Sequence, residues 1–300
     1  MDKVLVTGAS GFVGQFLSND KRAQKFYFLS QKSSQNSNWY KTKDFSAEND
    51  INFNVSLNKI SVVIHLAAVA HKYDVNEDYI HKVNHKAALG LAKQAADAGV
   101  RRFIYLSTVS VYGNQAHIDI NVELNPIDYS SKVRVDVENE LIKLGSNTGM
   151  EIVIIRSPLI YGKGAPGNFG TLLKIAEKNL PLPLGAINNK RSYVALDNVI
   201  DLLITCIEHP NAANQTFLAS DDENISTSNL LKKLTLAAGK KPWLLPVPVS
   251  LLKLIASIIG KKAAVEKFSS SLTVDIEHTK KTLNWKPPIT LDEGIRRCFK

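Results

Sequence analysis

A chain of 300 residues is long enough for one large domain or two modest ones with a substantial core. Its 44% apolar, 22% charged and 8% aromatic residues are an ordinary soluble globular composition, which excludes a disordered or fibrous chain. The 37 Lys and Arg against 28 Asp and Glu leave a net charge of +9, mostly solvated surface lysine, with Lys240-Lys241, Lys261-Lys262 and Lys280-Lys281 the densest points. No basic stripe or known nucleic-acid module is visible, so nucleic acid is not expected as a partner, and an anionic small substrate suits the charge better. The two cysteines, Cys206 and Cys298, lack metal-type spacing, and neither a leader nor a run long enough to span a bilayer is present. A cytoplasmic protein without disulfides, metal or stable membrane insertion is the expectation.

The first element is the most informative. Val4 to Val6 suit a buried strand, and the chain then breaks into glycines at Gly8, Gly11 and Gly14, with Ser10, Phe12 and Val13 between them. Gly8 permits the tight turn out of the strand, Gly11 lets a ligand approach the backbone, and Gly14 lets the next helix pack closely. The helix N-terminus then offers amides and a positive dipole end to a pyrophosphate. Such a turn after an N-terminal strand predicts the first βα unit of a dinucleotide-binding domain.

Residues 26–29 read as a second strand, and residues 30–58 as a polar, irregular stretch in which the second crossover is reduced. Residues 61–68 read as a fully buried strand, 79–98 as a helix ending at Gly99, and 102–106 as a strand. A helix over 129–144 and a strand over 151–155 follow. Strand and helix alternating at this pitch predict an α/β Rossmann-type, doubly wound parallel sheet. After Tyr161-Gly162, proline and glycine clusters argue for loops and short elements around a pocket. The predicted division is a dinucleotide-binding domain over 1–164 and a smaller C-terminal substrate lobe over 165–300, with about 190–220 returning to the first. The apolar segment 249–259, followed by Lys261-Lys262, is expected as a core helix of that lobe ahead of a helix lying on a membrane surface.

Hydroxyl residues at the end of the 102–106 strand region, Ser107, Thr108 and Ser110, open onto the ligand crevice of such a sheet. Tyr129 and Lys132 share a face at a helix start, where an ammonium lowers a phenol's pKa and equips it to trade a proton with a hydroxyl or carbonyl. After the second strand the chain has Ser30-Gln31-Lys32 where a carboxylate would hold the adenine ribose of NAD. Lys32 and the neighbouring hydroxyls suit a 2′-phosphate, so NADP is slightly favoured over NAD, with a solvated loop lysine as the alternative.

The ordered motifs Gly8-x-x-Gly11-x-x-Gly14, His65-Leu-Ala-Ala68, Ser107 to Gly113, the Tyr-Lys pair and Arg156 to Gly162 resemble the extended short-chain dehydrogenase/reductases, the NAD-dependent epimerase/dehydratase family. The resemblance covers essentially the whole chain. It implies Thr108 as the catalytic Ser/Thr, Tyr129 as the acid/base, and Lys132 on both the phenolate and the nicotinamide ribose. It also implies that Leu66, Ala67 and Ala68 line the cofactor, that Asp44 and Phe45 lie at the adenine, and that Asn84 is a structural asparagine. One departure stands out: the family spaces Tyr and Lys four apart, whereas here they are three apart and Asp128 fills the expected slot. A carboxylate there is far too acidic to match a sugar hydroxyl.

In the second lobe the resemblance places Asn168, in Gly167-Asn168-Phe169, on the substrate pyrophosphate. Arg191, in the Arg-x-Tyr segment followed by Asp197, would grip the nucleotide diphosphate; an ion pair with Asp197 is the structural alternative. Lys267 is a weaker phosphate candidate. These segments, with Ser271 to Asp275 and Leu283 to Pro288, are closest to bacterial UDP-N-acetylhexosamine 4-ketoreductases and 4-epimerases of the UDP-N-acetylquinovosamine-forming type. The implied activity is nicotinamide-dependent reduction or epimerisation at C4 of a UDP-sugar for surface polysaccharide, by a homodimer built on the helices near 79–98 and 129–144. The alternative, argued from the shortened Tyr-Lys spacing, is a catalytically quiet NADP(H)-binding sensor.

Overall fold

The computed structural model describes residues 3–31, 38–42, 57–69, 76–258, 260 and 262–300. The first half runs β1 (Val4–Thr7), α1 (Phe12–Ser18), β2 (Tyr27–Ser30), β3 (Trp39–Lys41), β4 (Val62–His65), α2 (Glu77–Ile80) and α3 (Ala87–Asp97). Then come β5 (Arg102–Thr108), β6 (His117–Ile118), α4 (Tyr129–Thr148), β7 (Glu151–Ser157) and β8 (Ile160–Tyr161). The remainder is α5 (Gly167–Lys178), β9 (Arg191–Ser192), β10 (Val194–Ala195), α6 (Leu196–Glu208), β11 (Gln215–Leu218) and β12 (Asn224–Ile225). It closes with α7 (Thr227–Ala237), α8 (Val249–Ile258), α9 (Lys262–Ser269), β13 (Thr273–Val274), α10 (Glu277–Leu283) and α11 (Leu291–Arg297).

Seven strands form one sheet in the order β3-β2-β1-β4-β5-β7-β11, every neighbouring pair parallel. This is the predicted doubly wound sheet, with the order reversing beside β1 and β4. Side chains of a strand alternate between faces, so each strand feeds two cores. Val4, Val6, Val62, Ile64, Ile104, Val153 and Ile155 enter one layer, with Leu17 of α1 and Leu202 and Leu203 of α6. Leu5, Val63, Phe103, Tyr105, Ile152 and Ile154 enter the other, with Ala88 and Leu91 of α3 and Val137 and Leu141 of α4. A third cluster gathers Phe169 and Leu173 of α5, Leu230 and Leu234 of α7 and Ile295 of α11.

Four elements differ from the sequence expectation. Trp39–Lys41 forms an edge strand inside the stretch read as irregular; its register sets Trp39 opposite Phe28, and the rings stack at 5.6 Å. The helix expected over 79–98 is interrupted by a π segment, His81–Lys86. α4 runs four residues beyond 144, to the left-handed Gly149 at φ +79°. The core helix expected over 249–259 is α8, which turns only Leu252 and Ala256 inward and leaves Leu251, Leu254, Ile255 and Ile258 exposed.

Candidate active site

Gly8 leaves β1 at φ +72°, a backbone state that side chains rarely adopt. A Cβ there would lie 2.5 Å from the Ala67 amide nitrogen and 2.6 Å from the Leu66 carbonyl carbon. The two strand ends are also joined by Leu66 N–H donating to Thr7 O at 3.2 Å. Gly14 is as constrained, since a Cβ would stand 2.4 Å from the Gly8 carbonyl oxygen. Gly11 differs: a Cβ would meet only that oxygen, at 3.1 Å, among the described residues within 4 Å. Gly8 and Gly14 are therefore needed for packing, while the exposed Gly11 keeps the backbone open at the start of α1. Those three positions fit a dinucleotide cradle, each for its own physical reason.

Among the other predicted cofactor residues, Ser10 accepts a bond from Gln15 Nε2 through its carbonyl at 3.0 Å. The Phe12 ring packs near Gly162 and into the third cluster, and Val13 packs against the first. Ser30 lies buried at the end of β2. Leu66, Ala67 and the exposed Ala68 follow β4. Asn84 fixes this loop, accepting from Val69 N–H at 2.7 Å and donating to Val69 O at 3.1 Å. It sits within the π segment, a distortion characteristic of functional sites. Lys32, Asp44, Phe45 and the Lys267 side chain lie outside the described residues.

Thr108 ends β5, and its Oγ1 accepts bonds from Ser110 N–H and Ser110 Oγ, both at 3.2 Å. Ser110 thus supports Thr108 from behind. Tyr129 opens α4, half-buried, with Lys132 exposed one turn on. Asp128, which fills the slot expected for the tyrosine, is the N-cap of the helix. Its carboxylate accepts from Ser131 N–H at 2.9 Å, while Ser131 Oγ donates to the Asp128 carbonyl at 2.9 Å. Capping is what a carboxylate does well at a helix start, so Asp128 has a structural role at this position.

Ser107, expected to open onto the crevice with Thr108, is instead buried and bonded to Glu138, a partner that went unread in the sequence. Glu138 of α4 and Arg156 of β7, both buried, pair at 2.6 Å. Ser107 Oγ donates to Glu138 Oε1 at 2.5 Å, and Arg156 Nη1 donates to the Tyr112 hydroxyl at 2.6 Å. Thr108 is thereby flanked by two anchored neighbours, Ser107 before it and Tyr112 after it. Burial opposes the Arg156 charge, but the hydrogen bond and charge of Glu138 outweigh it and raise its pKa. Burial raises the Tyr112 phenol, with Arg156 opposing. Arg134 adds a bond from Nη1 to Leu106 O at 2.9 Å, its guanidinium 5.7 Å from the Tyr105 ring centre. The signal was present as charges interrupting apolar runs: Arg134 and Glu138 among Val133, Val137 and Leu141, and Arg156 ending an apolar strand.

His65, from the His-Leu-Ala-Ala motif, is fully enclosed. Its Nδ1 lies 2.8 Å from Thr7 Oγ1, and Nε2 makes no hydrogen bond among the described residues. Burial, then the Arg134 charge, push its pKa down to about 3, so the ring is neutral.

In the second lobe Asn168 lies half-buried in the first turn of α5. Arg191 Nη1 donates to Ser270 O at 3.2 Å and Ser270 Oγ at 3.3 Å. The ion pair considered between Arg191 and Asp197 does not form: Asp197 is taken by Arg297 at 2.6 Å. The buried Asp221 gathers three segments, accepting from Ala195 N–H, Asn198 Nδ2 and Tyr161 Oη, each at 2.7 Å. Burial pushes its carboxyl up to about 6, against the pull of those bonds. Cys206 and Cys298 are buried and unbridged, each thiol pushed up to about 12 by burial. Among the described residues no cluster of His, Cys, Asp and Glu suits a metal ion.

The model of the NAD dependent epimerase/dehydratase family matches residues 4–219. The chain belongs to that family. It is 38% identical to a UDP-glucose 4-epimerase of Vibrio cholerae, over 98% of this chain and 93% of that protein. An N-acetyl-α-D-glucosaminyl-diphospho-ditrans,octacis-undecaprenol 4-epimerase of Escherichia coli O157:H7 is 26% identical, over 99% of this chain and 94% of its own. In fold, the chain is similar to the UDP-N-acetylglucosamine 4-epimerase from Bacillus cereus, with a TM-score of 0.80 at 18% identity, covering 100% of this chain and 98% of that one.

Proposed function

We propose that this protein interconverts the C4 epimers of a UDP-sugar, with Tyr129 as the acid/base. The observation that carries this reading is that Ser107, beside Thr108 on β5, is bonded to Glu138 of α4, the helix that Tyr129 opens, in a chain of this family. The V. cholerae relative supports C4 of a UDP-hexose as the place of reaction.

The cofactor is held at Gly8, Gly11 and Gly14, with the backbone of Ser10, Phe12 and Val13 and the Leu66 to Ala68 loop around it. When bound, the nicotinamide supplies a hydride acceptor and donor. Tyr129 takes the proton from the sugar O4 hydroxyl and returns it to the same oxygen. Thr108, oriented by Ser110, donates a hydrogen bond to that oxygen as it becomes a carbonyl. Lys132, one turn along the helix, would hold the nicotinamide ribose. Asn168 and Arg191 hold the diphosphate, where the planar guanidinium suits the anion. Ser30 leaves the end of β2 without the carboxylate that selects NAD, so NAD and NADP both enter the test. The lobes divide near residue 164, and α3 and α4 carry the homodimer contact.

A second reading, reduction of a UDP-4-keto-N-acetylhexosamine for surface polysaccharide, uses the same residues once and consumes the reduced cofactor. Thermal shifts with UDP, dTDP, GDP and ADP, each with NAD or NADP, test the site. A ligand selective for the folded state stabilises by about 2.7 kcal/mol at a hundred times Kd. A shift with UDP alone is expected. Stabilisation by the dinucleotide without any response to these nucleotides would leave the quiet binder in place of the enzyme.

A further inference from the structure

We infer that α8 and the run leading into it form a membrane-surface docking face whose partner is a bilayer bearing anionic lipids. On a helix of 100° per residue, the exposed Leu251, Leu254, Ile255 and Ile258 fall on one stripe, about 130° from the inward Leu252 and Ala256. Two of these side chains are open for most of their surface, Leu254 at 61% and Ile258 at 79%. The preceding run adds Trp243 at 59% and the exposed Leu245. That run is fixed to the second lobe, since Leu182 N–H donates to Trp243 O at 3.1 Å and Leu245 N–H to Leu182 O at 2.8 Å. The apolar side chains are therefore presented by an ordered backbone. On α9, Phe268 is exposed as well.

Charge selects the partner. Residues 224–265 contain seven lysines and no Asp, Glu or Arg. Among these, Lys240 and Lys241 are exposed in the run that carries Trp243 and Leu245 into α8. Apolar residues on one helical face, a tryptophan and flanking lysines are what an anionic lipid surface binds: the hydrocarbon boundary takes the leucines and isoleucines, and the headgroups take the ammonium groups. None of the described helices is long and apolar enough to cross a membrane, so the contact is peripheral. The inference stands independently of the reaction at the dinucleotide site.

Flotation of the full chain with vesicles of phosphatidylcholine alone, or mixed with phosphatidylglycerol, tests it. The protein is expected to float with the mixed vesicles, to float far less with the neutral ones, and to show a blue shift of Trp243 emission on binding. The double variant Leu254→Glu/Ile258→Glu, at open positions that leave the core intact, should lose flotation by about tenfold or more. The double variant Lys240→Glu/Lys241→Glu should weaken it roughly fivefold or more. Both variants should keep the melting temperature of the wild type. Wild-type protein that stays at the bottom of the gradient would overturn the inference, as would equal flotation with neutral vesicles. A Leu254→Glu/Ile258→Glu variant that floats like wild type would remove α8 from it. Self-association of wild type that this variant abolishes, without vesicle binding, would show the face to be covered by a second copy.

Discussion

Asp221→Asn isolates the buried carboxyl that receives Tyr161, Ala195 and Asn198. Burial raises its pKa from 3.8 to about 6, against three hydrogen bonds that favour the ionised form. Between those values the folded chain holds a proton that the unfolded chain has released, so this group's contribution falls as pH rises through the window. About two pKa units at 1.36 kcal/mol each amount to about 3 kcal/mol lost between pH 4 and pH 7. Asparagine keeps the shape. Its Oδ1 accepts from Ala195 N–H and Asn198, and its Nδ2 faces Tyr161 Oη, which can then donate to Leu291 O at 3.2 Å. His65 acts in the opposite sense, because its depressed pKa leaves the unfolded chain holding the extra proton between about 3 and 6.5. The wild-type profile is therefore composite, and the difference between variant and wild type is the informative quantity. Urea unfolding at successive pH values should show the variant gaining on wild type by about 3 kcal/mol from pH 4 to pH 7. A difference that stays flat across that range would refute the reasoning.

His65 should remain neutral down to about pH 4, because burial and Arg134 hold its pKa near 3; a ring NMR titration with a midpoint near 6.5 would contradict its enclosure. Glu138→Gln strands the buried Arg156 charge and should cost about 3–5 kcal/mol in urea unfolding, with a loss under 1 kcal/mol counting against the clamp on Thr108. Gly8→Ala puts a Cβ 2.5 Å from the Ala67 nitrogen at φ +72°, so calorimetry should find dinucleotide affinity reduced by more than about tenfold, and unchanged affinity would detach the turn from the cofactor.

The sheet was legible because its strands are short apolar runs at regular pitch, buried on both faces, and the glycine turn because three glycines each answer a separate steric demand. The edge strand Trp39–Lys41 was not. It is three residues long, and its stability comes from Trp39 stacking on Phe28, a contact set by register and not by local pattern. The π segment escaped notice because helical periodicity continues through it; its purpose shows only once Asn84 is seen holding Val69. Asp128 was read as an intruder in the tyrosine's slot, and in the structure it is the N-cap of α4. The clamp of Glu138, Arg156, Ser107 and Tyr112 spans three separate segments, so no one stretch of sequence displays it. α8 was the reverse case. Its strong apolarity implied a core helix, but only Leu252 and Ala256 found a partner, because the lobe covers one side of it.

The central claim is that Tyr129, displaced by one residue, still moves the proton at O4. Interconversion of UDP-glucose with UDP-galactose, and of their N-acetyl counterparts, followed by NMR without added dinucleotide, tests it directly. Wild-type protein should bring one of these pairs to equilibrium, and Tyr129→Phe should slow it by about 10²- to 10⁴-fold while UDP binding is retained. Turnover undiminished by that substitution would contradict the assignment of the acid/base to Tyr129.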